Sequence, residues 1–174
     1  MTARTACVVL LLSLVLPLAG CQREEEGPLA ISGKVFVFNY RVARATYLLT
    51  LARNAPLPDE SYAEATFENP AGGEPLRIRE KIFPFWDKVT LESPALHCVR
   101  KEHPYAVSIR IVNASGKLLQ SLETTVISSM DQSVLPAKPL VIGPVYTENP
   151  EVFKADGTMD FSPEKGCDYG DKQG

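Results

Sequence analysis

The stretch Tyr105-Ala-Val-Ser-Ile-Arg-Ile-Val112, followed by Asn113-Ala-Ser-Gly116 and Lys117-Leu-Leu-Gln-Ser-Leu-Glu-Thr-Thr-Val-Ile127, decides the fold of this chain. Every second residue from Tyr105 to Ile111 is large and apolar, and this period of two is typical of a half-buried β-strand. The four-residue link ends in glycine and begins with asparagine, which are turn residues. The stretch therefore predicts a β-hairpin.

Similar segments lie on both sides of this hairpin, and turn-forming residues separate them. In 117–127 we expect Leu118, Leu122 and Val126 on one face. The spacers at 56–59 and 69–73 contain proline, asparagine, aspartate or glycine. This succession predicts an all-β fold, a single antiparallel β-sandwich or partial barrel of about seven to eight strands. The remaining predicted strands are 31–40, 45–51, 62–67, 76–83, 88–91 and 140–145.

The N-terminus reads as an export signal. Arg4 precedes an apolar run of eleven residues, Ala6 to Leu16, which is too short to cross a hydrocarbon core of about 30 Å and fits a signal peptide. Leu18-Ala-Gly-Cys21 resembles the lipobox of bacterial lipoproteins, whose cysteine is acylated after the signal is removed. The resemblance implies a cleaved signal at 1–20 and lipidation of Cys21. The alternative is an ordinary cleaved signal followed by a chance cysteine.

The predicted anchor sets the predicted location. Two acyl chains already hold a protein stably on a bilayer, and palmitate is an expected component at Cys21. Gln22 stands where, by resemblance to enterobacterial sorting, an aspartate would retain a lipoprotein on the inner membrane. We therefore expect the outer membrane, with the protein facing the periplasm. Residues 21–30 are charged and form the predicted tether, 31–146 the β-sandwich and 147–174 an irregular tail.

Cysteines and charge narrow the class of protein further. Removal of the signal, which carries only Arg4, leaves 154 of 174 residues and changes the formal net charge from −3 to −4. The sequence contains no cluster of basic residues of the kind that would indicate nucleic-acid binding. With Cys7 in the signal and Cys21 lipidated, Cys98 and Cys167 are the two thiols left in an exported protein. Such thiols usually pair, and we predict a disulfide between them.

Signals for enzymatic chemistry are few. The chain contains two histidines, His97 and His103, and no nucleophile elbow, P-loop or zinc-protease motif. His97, Cys98 and His103 could contribute ligands to a metal site, but three ligands on one loop make an incomplete structural zinc site. The simpler interpretation is a loop with a disulfide and solvated histidines. The sequence favours a protein without catalytic residues, metal or cofactor.

Phe83-Pro-Phe-Trp86 is the stretch that most resembles a binding site. Pro84 interrupts the strand pattern, so the segment is expected at an edge or bulge. Three aromatic side chains in four residues do not all point into one core from an extended chain. Exposure of Phe83, Phe85 or Trp86 would create a partner-binding patch; the alternative is that Phe83 and Trp86 cap the core. The preceding stripe, Arg77, Arg79 and Lys81, is either solvated or meets lipid headgroups or an acidic partner.

Several of these segments together resemble a known family. They are Ile31-Ser-Gly-Lys-Val35, the alternating 41–51 segment, Phe83-Pro-Phe85, and Tyr105 to Ile111 leading through Gly116 to Leu118. Their order resembles the type III secretion lipoprotein family, which includes pilotin-type secretin chaperones. The resemblance implies a lipid-anchored β-sandwich that binds a secretin tail and escorts that subunit to the outer membrane. The loop with Cys98 and the extended tail with Cys167 depart from the pattern, and no partner-contact residue carries over.

These observations lead to two main functional hypotheses, and an envelope enzyme or metal protein is the third and least favoured class. The first is a non-enzymatic lipoprotein whose sandwich binds another envelope protein, with a secretin as the partner that the resemblance implies. Binding would use strand addition at an exposed edge, or insertion of apolar side chains near Phe85 and Trp86. The second is a small-ligand or lipid-binding sandwich of the periplasm, which an apolar cavity between the sheets would favour.

Overall fold

A computed structural model describes residues 27–169 of the chain. In this range the structure is built from β-strands, one 3-10 helix at Gln132–Val134 and loops. None of its helices has the length and apolar character needed to cross a bilayer. The strands are β1 (Leu29–Asn39), β2 (Arg44–Arg53), β3 (Ser61–Phe67), β4 (Leu76–Ile82), β5 (Lys88–Glu92), β6 (Pro104–Val112), β7 (Leu118–Ile127), β8 (Val141–Ile142) and β9 (Thr147–Glu148).

The first seven strands form an antiparallel β-sandwich, which confirms the predicted fold class. One sheet has the order β1-β2-β5 and the other has the order β4-β3-β6-β7. The β6–β7 hairpin forms as predicted, and the Asn113 side chain accepts hydrogen bonds from the Ser115 and Lys117 amides across its turn. Gly116 closes that turn with a φ of 80°, a conformation that glycine adopts without strain.

The strand predicted at 140–145 is much shorter in the structure. Only Val141–Ile142 is extended, and it pairs with Thr147–Glu148 in a separate two-stranded sheet. Gly143 and Tyr146 both have positive φ values, and the Tyr146 amide bonds back to the Gly143 carbonyl. The chain therefore turns within the predicted strand and does not extend either sheet of the sandwich.

Aromatic side chains join the two sheets. The ring of Tyr47 on β2 stacks on Phe67 of β3 at 5.2 Å and meets Tyr105 of β6 edge-on at 6.3 Å. Phe36 of β1 completes the cluster, 4.6 Å from Tyr47. The buried Tyr47 hydroxyl donates a 2.9 Å hydrogen bond to the carbonyl of Glu68, so burial leaves no unpaired donor there. Further along β2, the fully buried Leu49 and Leu51 extend this core.

Antiparallel pairing separates the loops into two groups at opposite ends of the sandwich. One end of the sandwich, here called the proximal end, is where β1 begins and β2 ends, since Leu29 pairs with Arg53. This end carries loops 54–60, 83–87 and 113–117. The distal end carries loops 40–43, 68–75 and 93–103. The described chain begins at the proximal end.

The inner face of β7 differs from the predicted one. Leu118, predicted on the same face as Leu122 and Val126, is exposed, while Leu119 packs against the core. The pairing register shifts between Ile111 and Val112, and this irregularity displaces the alternation at the start of β7.

Gln120 occupies the inner face of β7 and links the two sheets. Its side-chain oxygen accepts a 3.1 Å hydrogen bond from the Leu29 amide, and its nitrogen donates a 2.7 Å bond to the Leu29 carbonyl. Both residues are buried. Because β1 and β7 are edge strands of different sheets, this side chain satisfies backbone groups that no strand neighbour reaches.

The described chain after β7, residues 128–169, forms a C-terminal extension that packs against the distal end. The amide of Leu140 donates to the carbonyl of Arg41 in the β1–β2 turn. Val152 is fully buried, and the buried side chain of Asn149 donates a 2.7 Å hydrogen bond to the carbonyl of Pro139. The predicted irregular tail is thus largely irregular, but β9 and these contacts give it a fixed path.

The predicted disulfide between Cys98 and Cys167 is confirmed, with an S–S distance of 2.01 Å. The bond joins the loop before β6 to the end of the described chain, 69 residues later. The Nδ1 atom of neighbouring His97 lies 2.8 Å from a carboxylate oxygen of Glu164. Gln132 holds the other side of the same loop through hydrogen bonds to Val99 and Leu96.

Replacing Gln120 with methionine is expected to lower the free energy of unfolding by about 2–4 kcal/mol, because two buried backbone groups of Leu29 lose their partners. Because methionine keeps most of the side-chain length, the decrease in the free energy of unfolding measures the contribution of the hydrogen bonds. Urea denaturation measures it. The exposed neighbour Ser121, changed to alanine, is the control and should shift the value by less than about 0.5 kcal/mol. Equal values for both variants would show that the link contributes nothing.

The double variant Cys98→Ser/Cys167→Ser is expected to lose about 2–5 kcal/mol of stability, because the unfolded chain is freed of a long closed loop. The contact between His97 and Glu164 does not compensate, since exposed ion pairs contribute at most about 1 kcal/mol. Urea denaturation of both forms measures the difference. Alkylation of both thiols in the native, unreduced protein would contradict the disulfide.

Candidate functional site

The segment Phe83–Trp86, here called the aromatic loop, connects β4 in one sheet to β5 in the other. Its three rings touch one another, with centroids of Phe83 and Trp86 4.8 Å apart and those of Phe83 and Phe85 5.7 Å apart. Phe85 is 77% exposed and Phe83 36% exposed, whereas Trp86 packs partly buried against the core. Of the two residues expected in the alternative to cap the core, only Trp86 packs against it, while Phe85 has the exposure that a binding patch would require.

Arg53, at the end of β2, holds the aromatic loop in shape. Its Nε donates a 2.8 Å hydrogen bond to the carbonyl of Trp86, and a terminal nitrogen donates a 2.9 Å bond to the carbonyl of Phe83. The Trp86 amide also bonds to the Phe83 carbonyl at 3.1 Å. These bonds fix the backbone on both sides of Phe85, so its ring is exposed on a preorganised turn.

The start of the described chain lies beside the residues that follow Arg53. The amides of Asn54 and Ala55 both donate to the carbonyl of Pro28, the former at 2.9 Å. Gly27 lies so close to the Gln120 amide that a Cβ there would collide with it. The chain thus enters the sandwich at the proximal end, on the same side as the aromatic loop. Sequence analysis could not place these segments together, because long-range pairing brings them there.

A second surface, here called the seam, lies between the distal parts of β1 and β7 and combines polar and exposed apolar side chains. Each strand is paired on one side only, and the Lys34 ammonium donates a 2.7 Å hydrogen bond to the Thr124 hydroxyl across the gap. Toward the distal end a groove of about 190 Å³ opens. It contains Val35, which is 50% exposed, and Ile127, which is 59% exposed. The full lining is Lys34, Val35, Phe36, Phe38, Ile127, Ser128, Ser129 and Met130.

The predicted basic stripe lies on the outer face of the four-stranded sheet and is partly neutralised there. Glu64 lies 2.9 Å from Arg110 and 3.6 Å from Arg79, so two guanidinium groups share one carboxylate. Lys81 lies 3.7 Å from Glu60. Within residues 27–169 only Arg77 of the stripe has no ion pair. Two of the three stripe cations therefore contact a carboxylate of the fold, which weakens the case for an acidic partner at this face.

A groove of about 730 Å³ also lies on the outer face of that sheet, and its exposed lining is mainly apolar. Pro75 and Ala106 contribute to the lining beside the outward side chains of Thr66, Ser108 and Glu123. The space between the two sheets is filled by buried apolar side chains. The small-ligand hypothesis requires an apolar cavity between the sheets, and this surface groove is a different feature.

His97, Cys98 and His103, which the sequence suggested as metal ligands, each contact a different partner. Cys98 is in the disulfide, and His97 contacts Glu164. His103 lies against Tyr105, with ring centroids 4.6 Å apart. In the described part of the chain, no three histidine, cysteine or acidic side chains converge as metal ligands.

Shifted pKa values occur at buried or partly buried tyrosines and at exposed carboxylates. Burial raises the pKa of Tyr47 and, to a lesser extent, that of Tyr105 and Tyr169. The hydrogen bond from Lys138 lowers the pKa of the exposed Glu151. An acid–base site would require a titratable group in a cleft with a perturbed pKa. The shifted groups between residues 27 and 169 are the core phenols of Tyr47 and Tyr105, the partly buried phenol of Tyr169 and exposed carboxylates, so the structure adds no support for such a site.

Arg4, the apolar run, Cys21 and Gln22 lie outside the described residues. Cleavage of the signal, acylation of Cys21 and the outer-membrane location therefore stay predictions from the sequence.

No protein-family model matches this sequence, and no curated protein matches it either. Among solved structures, one similar chain is a family 76 glycoside hydrolase from a bovine Bacteroides thetaiotaomicron strain. The match has 17% sequence identity and a TM-score of 0.36, and covers 56% of this chain and 20% of the hydrolase. This chain spans about a fifth of that structure's length, and a likeness of this size carries no argument about activity. The resemblance to type III secretion lipoproteins stays a prediction.

Proposed function

We propose that this protein is a lipid-anchored, non-enzymatic lipoprotein of the bacterial outer membrane, and that its β-sandwich binds another envelope protein on the periplasmic side. The sequence Leu18-Ala-Gly-Cys21 supports the anchor. The observation that carries the binding role is the seam, where the distal parts of two edge strands, β1 and β7, flank the exposed side chains of Val35 and Ile127.

The seam is the edge best suited to accept an added strand. β4, an edge of its sheet, carries Arg77, Arg79, Glu80 and Lys81, and charged residues protect strand edges from pairing. β5 is only five residues long. The distal parts of β1 and β7 instead present Val35 and Ile127 beside free edges. An extended partner segment with alternating apolar residues fits such a surface through backbone hydrogen bonds and side-chain burial.

The partner implied by the family resemblance is a secretin subunit, whose tail would occupy this surface. The aromatic residues Phe83, Phe85 and Trp86, which the sequence indicated as partner-binding, lie at the opposite end of the sandwich from the seam. Their role in binding a protein stays a prediction, and the experiment below includes a variant that tests it.

The anchor predicts a specific modification. When cells are fed labelled palmitate, the mature protein should carry the label and stay in the membrane fraction after washing. Cys21→Ser should abolish both properties, because the acceptor thiol is lost. Mass spectrometry of the N-terminal peptide should show cleavage before Cys21 and the added acyl mass. An unlabelled mature protein that washes free of membranes would contradict the proposed function.

The binding role predicts capture of an envelope protein from detergent-solubilised membranes. Val35→Asp/Ile127→Asp should reduce the captured amount about tenfold or more, because burying two charges in an apolar contact is unfavourable. Both side chains are at least half exposed, so folding should be little affected. Ile142→Asp, an exposed apolar position on β8, is the matched control, and Phe85→Ala tests the aromatic loop.

Capture that is unchanged by the seam variant but lost with Phe85→Ala would move the site to the aromatic loop. Absence of any captured protein, with a small molecule seen bound by native mass spectrometry, would favour the small-ligand alternative. The surface groove that includes Thr66, Ser108 and Glu123 would then be the first surface to alter.

A further inference from the structure

The proximal end of the sandwich combines the start of the described chain with exposed aromatic side chains. The carbonyl of Pro28 accepts hydrogen bonds from the amides of Asn54 and Ala55. Arg53, the residue just before Asn54 and the last of β2, donates hydrogen bonds to the carbonyls of Phe83 and Trp86. A short network of backbone and guanidinium bonds therefore connects the incoming chain to the aromatic loop. Phe85 points out from this end with 77% of its surface exposed.

The remaining length of chain limits how far this end can lie from the predicted anchor. Six Cα–Cα steps separate Cys21 from Gly27, and even a fully extended chain covers only about 20 Å in that distance. The loops at this end are therefore held within reach of any bilayer that contains the acyl chains of Cys21. The seam, at the distal part of β1 and β7, lies farther from the start of the described chain.

We propose that the aromatic loop docks into the headgroup region of the bilayer that holds the Cys21 anchor, with Phe85 inserted and Phe83 beside it. This inference rests on the proposed lipid anchor and extends it: the loop becomes a second, non-covalent membrane contact that sets the orientation of the domain. The proximal end then faces the lipid, and the seam faces the periplasmic space.

The chemistry of the loop fits a lipid surface better than open water. Aromatic side chains favour the membrane–water interface, and apolar groups of peripheral proteins are buried roughly 5–10 Å into it. Charges near the loop are mixed: Lys81 lies 3.7 Å from Glu60, and Lys88 follows Asp87 directly in the sequence. Contact therefore depends on apolar burial, which does not require anionic lipid.

Tethering makes one exposed ring sufficient. Because the anchor already keeps the domain near the surface, docking is an intramolecular step with a high effective concentration. Burial of a phenylalanine side chain is then expected to favour the docked over the undocked domain by roughly tenfold or more. The loop does not need to reorganise, since Arg53 holds it in its exposed shape.

Trp86 is the single tryptophan of the chain and touches Phe83, so it reports on this loop. Residues 21–174, the mature chain of the proposal, are coupled through Cys21 to a maleimide lipid in vesicles of phosphatidylethanolamine and phosphatidylglycerol. Cys98 and Cys167 are unavailable for coupling because they form the disulfide. Vesicles with and without a brominated phospholipid then give the quenching of Trp86 by lipid.

The expected result is strong quenching of the coupled protein by brominated lipid, reduced severalfold in Phe85→Ser. The matched control is Val145→Ser, at an 80% exposed apolar residue far from the loop in sequence, which should behave like the unaltered protein. Circular dichroism verifies that both variants are folded. Equal quenching in Phe85→Ser and the unaltered protein, or none in either, would overturn the proposal.

The vesicle experiment tests docking independently of the proposed function, because chemical coupling to lipid takes the place of acylation in the cell. An unacylated cellular protein would refute the anchor, while the vesicle measurement would still decide whether the loop docks. If the coupled protein shows no lipid quenching and Phe85→Ser instead abolishes capture of an envelope protein, the loop is a protein-binding surface and the docking proposal is wrong.

Discussion

The stacking of Tyr47 on Phe67 joins the two sheets, and the arrangement of the rest of the molecule depends on that contact. Together with Phe36 and Tyr105, these rings fix how the sheets face each other near the distal end. The antiparallel strands that carry them direct successive loops to opposite ends of the sandwich. The common position of the incoming chain and the aromatic loop is therefore a result of topology, in which local sequence plays no part.

Much of this fold could be predicted from the sequence because alternation is a local signal. The β6–β7 hairpin and the class of fold follow from apolar side chains at every second position and from turn residues between them. Gln120 could not be found in this way. A glutamine within an alternating segment looks like an outward residue, and only the distant backbone of Leu29 gives it an inward role. The exposure of Leu118 could not be predicted either, because it follows from the shift in pairing register between Ile111 and Val112, which depends on how β6 and β7 pair.

The candidate sites show the same division between local and long-range information. The pairing of Cys98 with Cys167 could be predicted because these are the two thiols left once Cys7 and Cys21 are assigned to the predicted signal and anchor. The sequence also singled out Phe83, Phe85 and Trp86, but not which ring is exposed. That outcome depends on Arg53, a residue from another strand, whose hydrogen bonds shape the loop. The sequence led to the prediction of strand addition at an exposed edge, but it could not locate the seam, because that requires knowing which two strands lie at the edges.

The point at which the chain enters β1 has a mechanical consequence. A pull on the N-terminal side is applied at Leu29 and directed along β1, whose ladder with β2 extends to the pair Asn39 and Arg44. The hydrogen bonds of an antiparallel ladder lie perpendicular to the strands. Such a force loads them together in shear, so they are not peeled apart one at a time. A domain tethered at this point can therefore bear tension between a bilayer and a bound assembly across the full length of its first strand.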